Sequence, residues 1–135
     1  MAIRKIEHIG IAVNDLSTSN NLFEKLFGKA SYKNEKVVSE GVETIFFELG
    51  ESKIELLGAL QEDSSIHKYL QKKGEGIHHI ALEVDDINFE TQRLKKEGFI
   101  FIYDKPRDGA DNKLINFIHP KTAGGILIEL CQEKK

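Results

Sequence analysis

Two stretches of the chain, residues 5–13 and 76–84, alternate apolar and polar side chains with the period of a β-strand. Each is followed by a polar pair ending in Asp15 or Asp86, which is typical of a helix N-cap. Apolar residues at helical spacing come next, and a glycine follows the last turn of each helix. These apolar residues are Leu16, Leu22, Phe23, Leu26 and Phe27 in the first stretch and Ile87 and Leu94 in the second. Each stretch therefore predicts a strand followed by a helix.

The two stretches are copies of an internal repeat. Laying residues 5–27 over residues 76–98 places His8 on His79, and the apolar positions of the two strands coincide. Self-similarity at a fixed offset indicates a duplicated structural unit. Three further extended segments complete each copy, which gives the order β-α-β-β-β twice. We expect these segments near 31–38, 43–49 and 53–57 in the first copy and near 99–103, 113–118 and 126–131 in the second.

The repeat organises the chain into two modules joined by a bridge. Module one spans about residues 3–59 and module two about residues 76–131. The bridge, residues 60–75, contains a short predicted helix that begins after Ser64 and ends at Gly74. We therefore expect one α+β domain over residues 1–135, built from two tandem β-α-β-β-β modules.

A second matching pair of residues lies near the end of each module. SKIELLG in module one resembles GILIELC in module two, which places Glu55 on Glu129. Each glutamate alternates with aliphatic residues, so both should point away from the helices, as His8 and His79 do. We expect this face to carry no core aliphatic residues, and the repeat could bring the four side chains together on a curved sheet.

Two imidazoles and two carboxylates form a donor set that suits a divalent metal ion with one or two positions open for water or substrate. Single histidines and glutamates at strand ends are usually only solvated, so spacing alone leaves both interpretations open. Alternation distinguishes the two adjacent histidines. His78 is in phase with the aliphatic face and His79 with the opposite face, which makes His79 the candidate ligand.

Composition narrows the class of partner. Nineteen Lys and Arg residues against 22 Asp and Glu residues give a net charge of −3, which provides no basic field for nucleic acid or an anionic membrane. No apolar run approaches the roughly 20 residues that span a bilayer. The lone Cys131 cannot form an intramolecular disulfide, and the chain starts without an apolar targeting segment. These features predict a cytoplasmic protein with a small-molecule or protein partner.

Three strings carry a family resemblance: EHIGIAVNDL, GEGIHHIALEVDDI and HPKTAGGILIEL. They resemble the methylmalonyl-CoA epimerases of the vicinal oxygen chelate superfamily, which also contains glyoxalases and bleomycin resistance proteins. The resemblance implies that the paired modules form a cupped mixed sheet around one divalent ion, which could be Co, Mn, Mg, Ni or Zn. The matching ligand positions are His8, Glu55, His79 and Glu129. It further implies an acyl-CoA substrate and a homodimer.

One ligand position departs from part of this family. Some members carry Gln where this chain has Glu55, and a His-Glu-His-Glu set is typical of metal-dependent glyoxalase I. Two features disfavour glyoxalase: the segment HPKTAGG replaces its usual Asp-Pro-Asp-Gly turn, and Arg4 is the sole candidate to bind the glutathione carboxylates.

The full ligand set disfavours two other classes of the superfamily. A ring-opening dioxygenase uses only two His and one Glu. A non-enzymatic binding protein of the superfamily generally lacks the full ligand set.

The reaction implied by the resemblance removes and returns the proton on C2 of a 2-methylmalonyl thioester. Glu129 is then one acid/base group. Some family members carry a second glutamate at the position of Thr44, and threonine cannot be a general base. Strand alternation turns Thr44 and Glu48 to the same face, so Glu48 is the candidate second group, with water or a single mobile base as alternatives. Lys121 and Thr44 are candidate substrate contacts.

Overall fold

The structure, a computed structural model, describes residues 3–134. The strands are β1 (Ile3–Ala12), β2 (Lys33–Val37), β3 (Val42–Leu49), β4 (Ser52–Ala59), β5 (Gly76–Val84), β6 (Arg107–Gly109), β7 (Lys113–Ile118) and β8 (Ile128–Glu133). The α-helices are α1 (Leu16–Phe27), α2 (Ser65–Lys73) and α3 (Ile87–Lys96). In this described part of the chain, no helix is both long enough and apolar enough to cross a membrane.

The chain forms two compact units whose boundaries fall inside strands. The first unit is Ile9–His78, and the second unit joins the residues up to His8 with those from His79 onward. The start of β1 therefore belongs to the same unit as the second copy of the repeat. This division differs from the sequence modules, which keep β1 whole.

In the first unit, β2, β3, β4 and the end of β1 are neighbours in that order, and the β2-β3 and β3-β4 pairs are antiparallel. Helix α1 covers one face, where Phe23 and Phe27 pack on Phe47 and Leu56. The Asp15 side chain accepts a hydrogen bond from the Thr18 backbone N–H, as predicted for an N-cap. At the other end, Gly28 adopts the left-handed conformation that ends the helix.

Two residues of the predicted apolar stripe of α1 do not pack. Leu22 and Leu26 are 60% and 69% exposed, although they share the helical spacing of the apolar residues that do pack. They lie one residue before Phe23 and Phe27, which occupy the face of α1 turned to the sheet. A 3.6-residue period cannot bury both members of such pairs against one flat sheet.

Helix α2 begins after Ser64, whose side chain accepts from the His67 backbone N–H, and Gly74 ends it, as the sequence predicted. Its Ile66 packs with Ala12 and Leu57, on the face of β4 opposite to α1. That face was expected to carry no core aliphatic residues. The expectation is wrong at this end of the sheet, because α2 covers it.

In the second unit, β5 pairs in parallel with β8, β8 pairs antiparallel with β7, and β7 pairs antiparallel with β6. The first half of β1 lies beside β5. Helix α3 begins after Asp86, which caps the Phe89 backbone N–H. The core beneath α3 consists of Val84, Ile87, Leu94, Ile118 and Leu130. This unit therefore contains a mixed sheet with one face covered by a helix.

The predicted strand at 99–103 is wrong. This segment makes a single isolated bridge, between Phe101 and Ile118, and the strand that pairs with β7 is Arg107–Gly109 instead. Phe99 and Phe101 pack into the core under α3, whereas Ile100 and Ile102 are exposed. The alternation that suggested a strand thus reflects a half-buried extended segment without a continuous hydrogen-bond ladder.

Candidate metal centre

Three of the four predicted ligands meet on one face of the sheet of the second unit. We call it the open face, meaning the sheet face that α3 does not cover. His8 lies on β1, His79 on β5 and Glu129 on β8, and all three side chains are buried. Glu129 alternates along β8 with Ile128 and Leu130, which pack toward α3, so its carboxylate points to the open face. The strands thus position all three side chains on one side of the sheet.

The donor atoms of these side chains form a small triangle. His8 Nε2 and His79 Nε2 are 3.0 Å apart. Glu129 Oε1 lies 2.9 Å from His79 Nε2 and 3.3 Å from His8 Nε2. The three donor atoms therefore converge on one point in space.

This triangle fits a divalent metal ion. Imidazole and carboxylate ligands bind Zn²⁺ or similar ions at about 2.1 Å, so adjacent ligands of an octahedral ion lie about 3.0 Å apart. The observed edges of 2.9 to 3.3 Å match that separation. Two imidazoles and one carboxylate on one side of an ion also leave its other positions open. The His8, His79 and Glu129 side chains form a cluster that could hold a metal ion.

Electrostatics keep the carboxylate of this cluster ionised. Burial alone would raise the pKa of Glu129, but the charge and hydrogen bonds of the His8 and His79 rings outweigh it and hold the pKa well below its usual range. Glu129 is therefore an anion at neutral pH. An ionised carboxylate can serve both as a metal ligand and as a proton acceptor.

The surroundings of the cluster are apolar. Phe117 lies opposite Glu129 in the β7-β8 register, and its ring meets the His79 ring edge-on at 5.8 Å. Ala81, Ile115 and Cys131 form a buried group on the same face, so the open face does carry apolar core residues, contrary to expectation. Burial raises the pKa of the Cys131 thiol, which makes it an inert filler and not a nucleophile.

Glu55, the fourth predicted ligand, is buried on β4 in the first unit. In the β3-β4 register it lies opposite Phe46, just as Glu129 lies opposite Phe117. The repeat is therefore reproduced at the level of cross-strand pairs. The assignment of Glu55 as a ligand stays a prediction.

The candidate second base and its neighbour lie on β3. Thr44 is buried at 1% exposure, two residues before Phe46. Glu48 is exposed at the end of β3, opposite Lys53 and next to the turn at Gly50. Strand alternation puts Thr44, Phe46 and Glu48 on the same side of β3. Glu48 thus lies at the rim of the sheet, where its carboxylate reaches solvent.

The other candidate residues make contacts of their own. His78 packs its ring against Tyr69 of α2, at 4.7 Å between centroids. Lys121 is exposed in the 3-10 turn Pro120–Thr122, and its backbone N–H donates to His119 Nδ1. The structure therefore separates His79 from His78, as strand alternation predicted.

Sequence reasoning missed one residue of the centre. Glu7 is 2% exposed, and its Oε1 lies 2.6 Å from His8 Nδ1. Neighbouring residues of a strand normally point to opposite faces, so alternation gave no reason to pair Glu7 with His8. The available signal was an acidic residue directly before a candidate ligand histidine.

Comparison with known proteins supports the fold and the class. Residues 7–117 match the family model of the Glyoxalase/Bleomycin resistance protein/Dioxygenase superfamily. The solved structure of a hypothetical protein from Bacillus halodurans is 42% identical, with a TM-score of 0.94 over 97% of this chain and 95% of that chain. Human mitochondrial methylmalonyl-CoA epimerase is 38% identical over 95% of this chain and 73% of its own length.

A relative with a bound ligand has the same fold. A substituted Streptomyces coelicolor methylmalonyl-CoA epimerase was solved in complex with 2-nitronate-propionyl-CoA. It is 33% identical to this chain, with a TM-score of 0.94 over 98% of this chain and 96% of that chain. These similarities confirm the predicted α+β fold class and the predicted superfamily.

Proposed function

The chain belongs to the methylmalonyl-CoA epimerase family within the glyoxalase, bleomycin resistance protein and dioxygenase superfamily, and from this premise we propose that it interconverts (R)- and (S)-methylmalonyl-CoA. The observation that carries the proposal is the triangle of His8 Nε2, His79 Nε2 and Glu129 Oε1. Its two nitrogens and one carboxylate oxygen suit an enzyme that stabilises negative charge on a substrate carbonyl. The substrate is an acyl-CoA.

His8, His79 and Glu129 would hold one divalent ion, and Glu55 would complete the set. The register supports Glu55, because both glutamates lie opposite a phenylalanine at equivalent positions of the repeat. When bound, the ion supplies a positive charge that stabilises the negative charge developing on the thioester oxygen as C2 loses its proton. Co, Mn, Mg, Ni and Zn all accept these ligands.

Glu129 would exchange the proton at C2. As an ionised carboxylate, Glu129 can accept the proton while the electron pair of the C–H bond moves toward the thioester carbonyl. Ile115 and Phe117 belong to an apolar group on the same face as this carboxylate. Inversion then requires a proton to be returned to the opposite face of C2.

Glu48 would return that proton, either directly or through water. It shares a strand face with Thr44, and its position at the rim of the sheet leaves its carboxylate open to solvent for reprotonation. Thr44, buried on the same side of β3, would contact the substrate through its hydroxyl. Lys121 would contact the substrate from an exposed turn, where its ammonium group remains free to meet a phosphate.

Glyoxalase I chemistry is the second candidate, because Glu55 completes a His-Glu-His-Glu set. One experiment separates the two. Purified protein reloaded with Co²⁺ or Mn²⁺ is incubated in D₂O with methylmalonyl-CoA, and separately with the hemithioacetal of methylglyoxal and glutathione. We expect deuterium at C2 of methylmalonyl-CoA and no conversion of the hemithioacetal. Hemithioacetal conversion without deuterium exchange would move the assignment to glyoxalase I.

The homodimer and the cytoplasmic location are part of the same proposal. The family resemblance supports the homodimer, and the lone Cys131, which cannot form an intramolecular disulfide, supports the location. Size-exclusion chromatography with light scattering tests the first. A mass of one chain, 15.3 kDa, would contradict it.

A further inference from the structure

Glu7 is a buried carboxylate without a role in the reaction proposed above. It lies on β1 directly before His8 and is 2% exposed. An ionised carboxylate is unfavourable in such a place unless it is paired and hydrogen-bonded. The 2.6 Å contact between Glu7 Oε1 and His8 Nδ1 provides a partner of this kind.

The two nitrogens of the His8 ring face different groups. Nδ1 faces the Glu7 carboxylate at 2.6 Å, whereas Nε2 faces His79 Nε2 at 3.0 Å and Glu129 Oε1 at 3.3 Å. A neutral imidazole carries one hydrogen, and a carboxylate accepts but does not donate when ionised. When Nε2 binds an ion, the ring is neutral and its one hydrogen must be on Nδ1, where the Glu7 carboxylate can accept it.

We propose that Glu7 is a positioning residue for the metal centre. Its carboxylate accepts the hydrogen bond from His8 Nδ1–H, fixes the tautomer and the ring orientation, and makes Nε2 a stronger donor to the ion. Carboxylates that hold ligand histidines in this way typically contribute about 10- to 100-fold to metal affinity. This inference rests on the proposed metal site and adds a residue to it.

The repeat indicates that strand packing alone does not require this carboxylate. The residue that matches Glu7 in the second copy is His78, which packs on Tyr69. A carboxylate is thus placed before only one of the two histidines, at the ring whose Nδ1 it contacts. The position serves that contact and is not a general feature of the fold.

Glu90 provides a matched control in the same unit. It is also 2% exposed, and its Oε1 accepts a hydrogen bond of 2.8 Å from Arg93 Nε on α3. Its partner is a half-exposed arginine of the helix and not a residue of the cluster. Removing the Glu90 charge therefore perturbs a buried carboxylate without touching the candidate centre.

The test measures metal affinity, not turnover. Protein stripped with a chelator is titrated with Mn²⁺ and with Co²⁺ at pH 7.5, for the wild type, Glu7→Leu, Glu7→Gln and Glu90→Gln, and thermal unfolding is recorded for each metal-free protein. We expect Glu7→Leu to raise the dissociation constant for the metal ion by about 10- to 100-fold. Glu7→Gln should fall between Glu7→Leu and the wild type, because the amide oxygen still accepts from Nδ1–H. Glu90→Gln should bind as the wild type does.

Two outcomes would overturn the inference. One is unchanged affinity in Glu7→Leu and Glu7→Gln, whatever their melting temperatures, which would reduce Glu7 to a structural residue. The other is an equal loss in Glu90→Gln and Glu7→Gln. If Glu7→Leu does not fold, the comparison of Glu7→Gln with Glu90→Gln decides. A wild type that binds no metal would sink the proposed site itself, and that result is distinct from equal affinities among the variants.

Discussion

Glu55 and Glu129 occupy matching positions in the two copies of the repeat, yet the residues that each unit places around its own glutamate differ. Each is buried and lies opposite a phenylalanine in the neighbouring strand. Around Glu129, in the second unit, two imidazole nitrogens lie within 3.3 Å. On the corresponding face of the first unit, the residues along β3 and β4 include Thr44 and Leu57, with helix α2 packed on the latter. Within its own unit, Glu129 thus has two histidines beside it, whereas helix α2 covers part of the face that carries Glu55.

Taken unit by unit, the repeat thus reproduces the scaffold but not the set of polar side chains. Both histidines of the cluster belong to the second unit, because the boundary between units falls between His8 and Ile9 inside β1. The duplicated strands give each unit a glutamate opposite a phenylalanine and a core covered by a helix. Because β1 is divided between the units, His8 of the first copy lies in the same unit as His79 of the second copy.

The largest effect should come from replacing each of the two glutamates in turn and comparing the variants. Glu129→Gln should lose both metal affinity and proton transfer, and loss of a positioned acid/base alone typically costs about 10²- to 10⁴-fold in rate. Glu55→Gln should retain its metal and most of its activity, because some family members carry Gln there. Metal content and deuterium exchange at C2 are measured for both. Equal losses would contradict the asymmetry between the two units.

The two adjacent histidines give the next largest effect. His79→Ala removes one corner of the donor triangle and should abolish retention of the ion through desalting. His78→Ala removes a ring that packs on Tyr69, and its metal content should stay near the wild-type value. Metal analysis of both purified variants checks this. Loss of the ion from His78→Ala as well would show that His78 also supports the centre.

Replacement of Glu48 should affect proton transfer alone. Glu48→Gln should keep its metal, because its carboxylate lies exposed opposite Lys53. Epimerisation should slow by at least about 10²-fold if Glu48 returns the proton. The variant should still exchange the C2 proton of one epimer, which a comparison of exchange with inversion detects. Wild-type epimerisation would assign the second proton to water or to Glu129 acting alone.

The smallest expected effect tests whether the hydrophobic cores of the two units contribute equally to stability. Leu56 and Leu130 are fully buried at matching positions of the repeat, each under the helix of its own unit. Leu56→Ala and Leu130→Ala should each lower the free energy of unfolding by about 2–5 kcal/mol. Urea denaturation measures both. A loss in one variant several times that in the other would show that the two cores do not contribute alike.

The sequence was sufficient where periodicity and repetition coincide. The offset between copies and the alternation of β5 selected His79 over His78, and the same reasoning brought Glu129 to its face. It failed where a local contact breaks alternation, as at Glu7, whose side chain turns to the ring of the next residue. Such a contact depends on backbone geometry that a pattern of apolar residues does not encode.

Short edge strands were the other weakness. β6 consists of Arg107, Asp108 and Gly109, which have no apolar signal, whereas the apolar segment at 99–103 forms only one bridge. Gly109 leaves room for Ile115, which an added Cβ would meet at 2.8 Å. Pairing at this edge is therefore set by close approach and not by hydrophobic alternation.

The proposed function requires an ion held by His8, His79 and Glu129 for proton exchange at C2 of an acyl-CoA. The direct measurement adds Co²⁺ stepwise to metal-free protein in D₂O and follows deuterium incorporation into methylmalonyl-CoA by mass spectrometry. We expect the exchange rate to rise in proportion to bound ion and to reach a plateau at one ion per chain. Full exchange by metal-free protein, or saturation without any exchange, would contradict it.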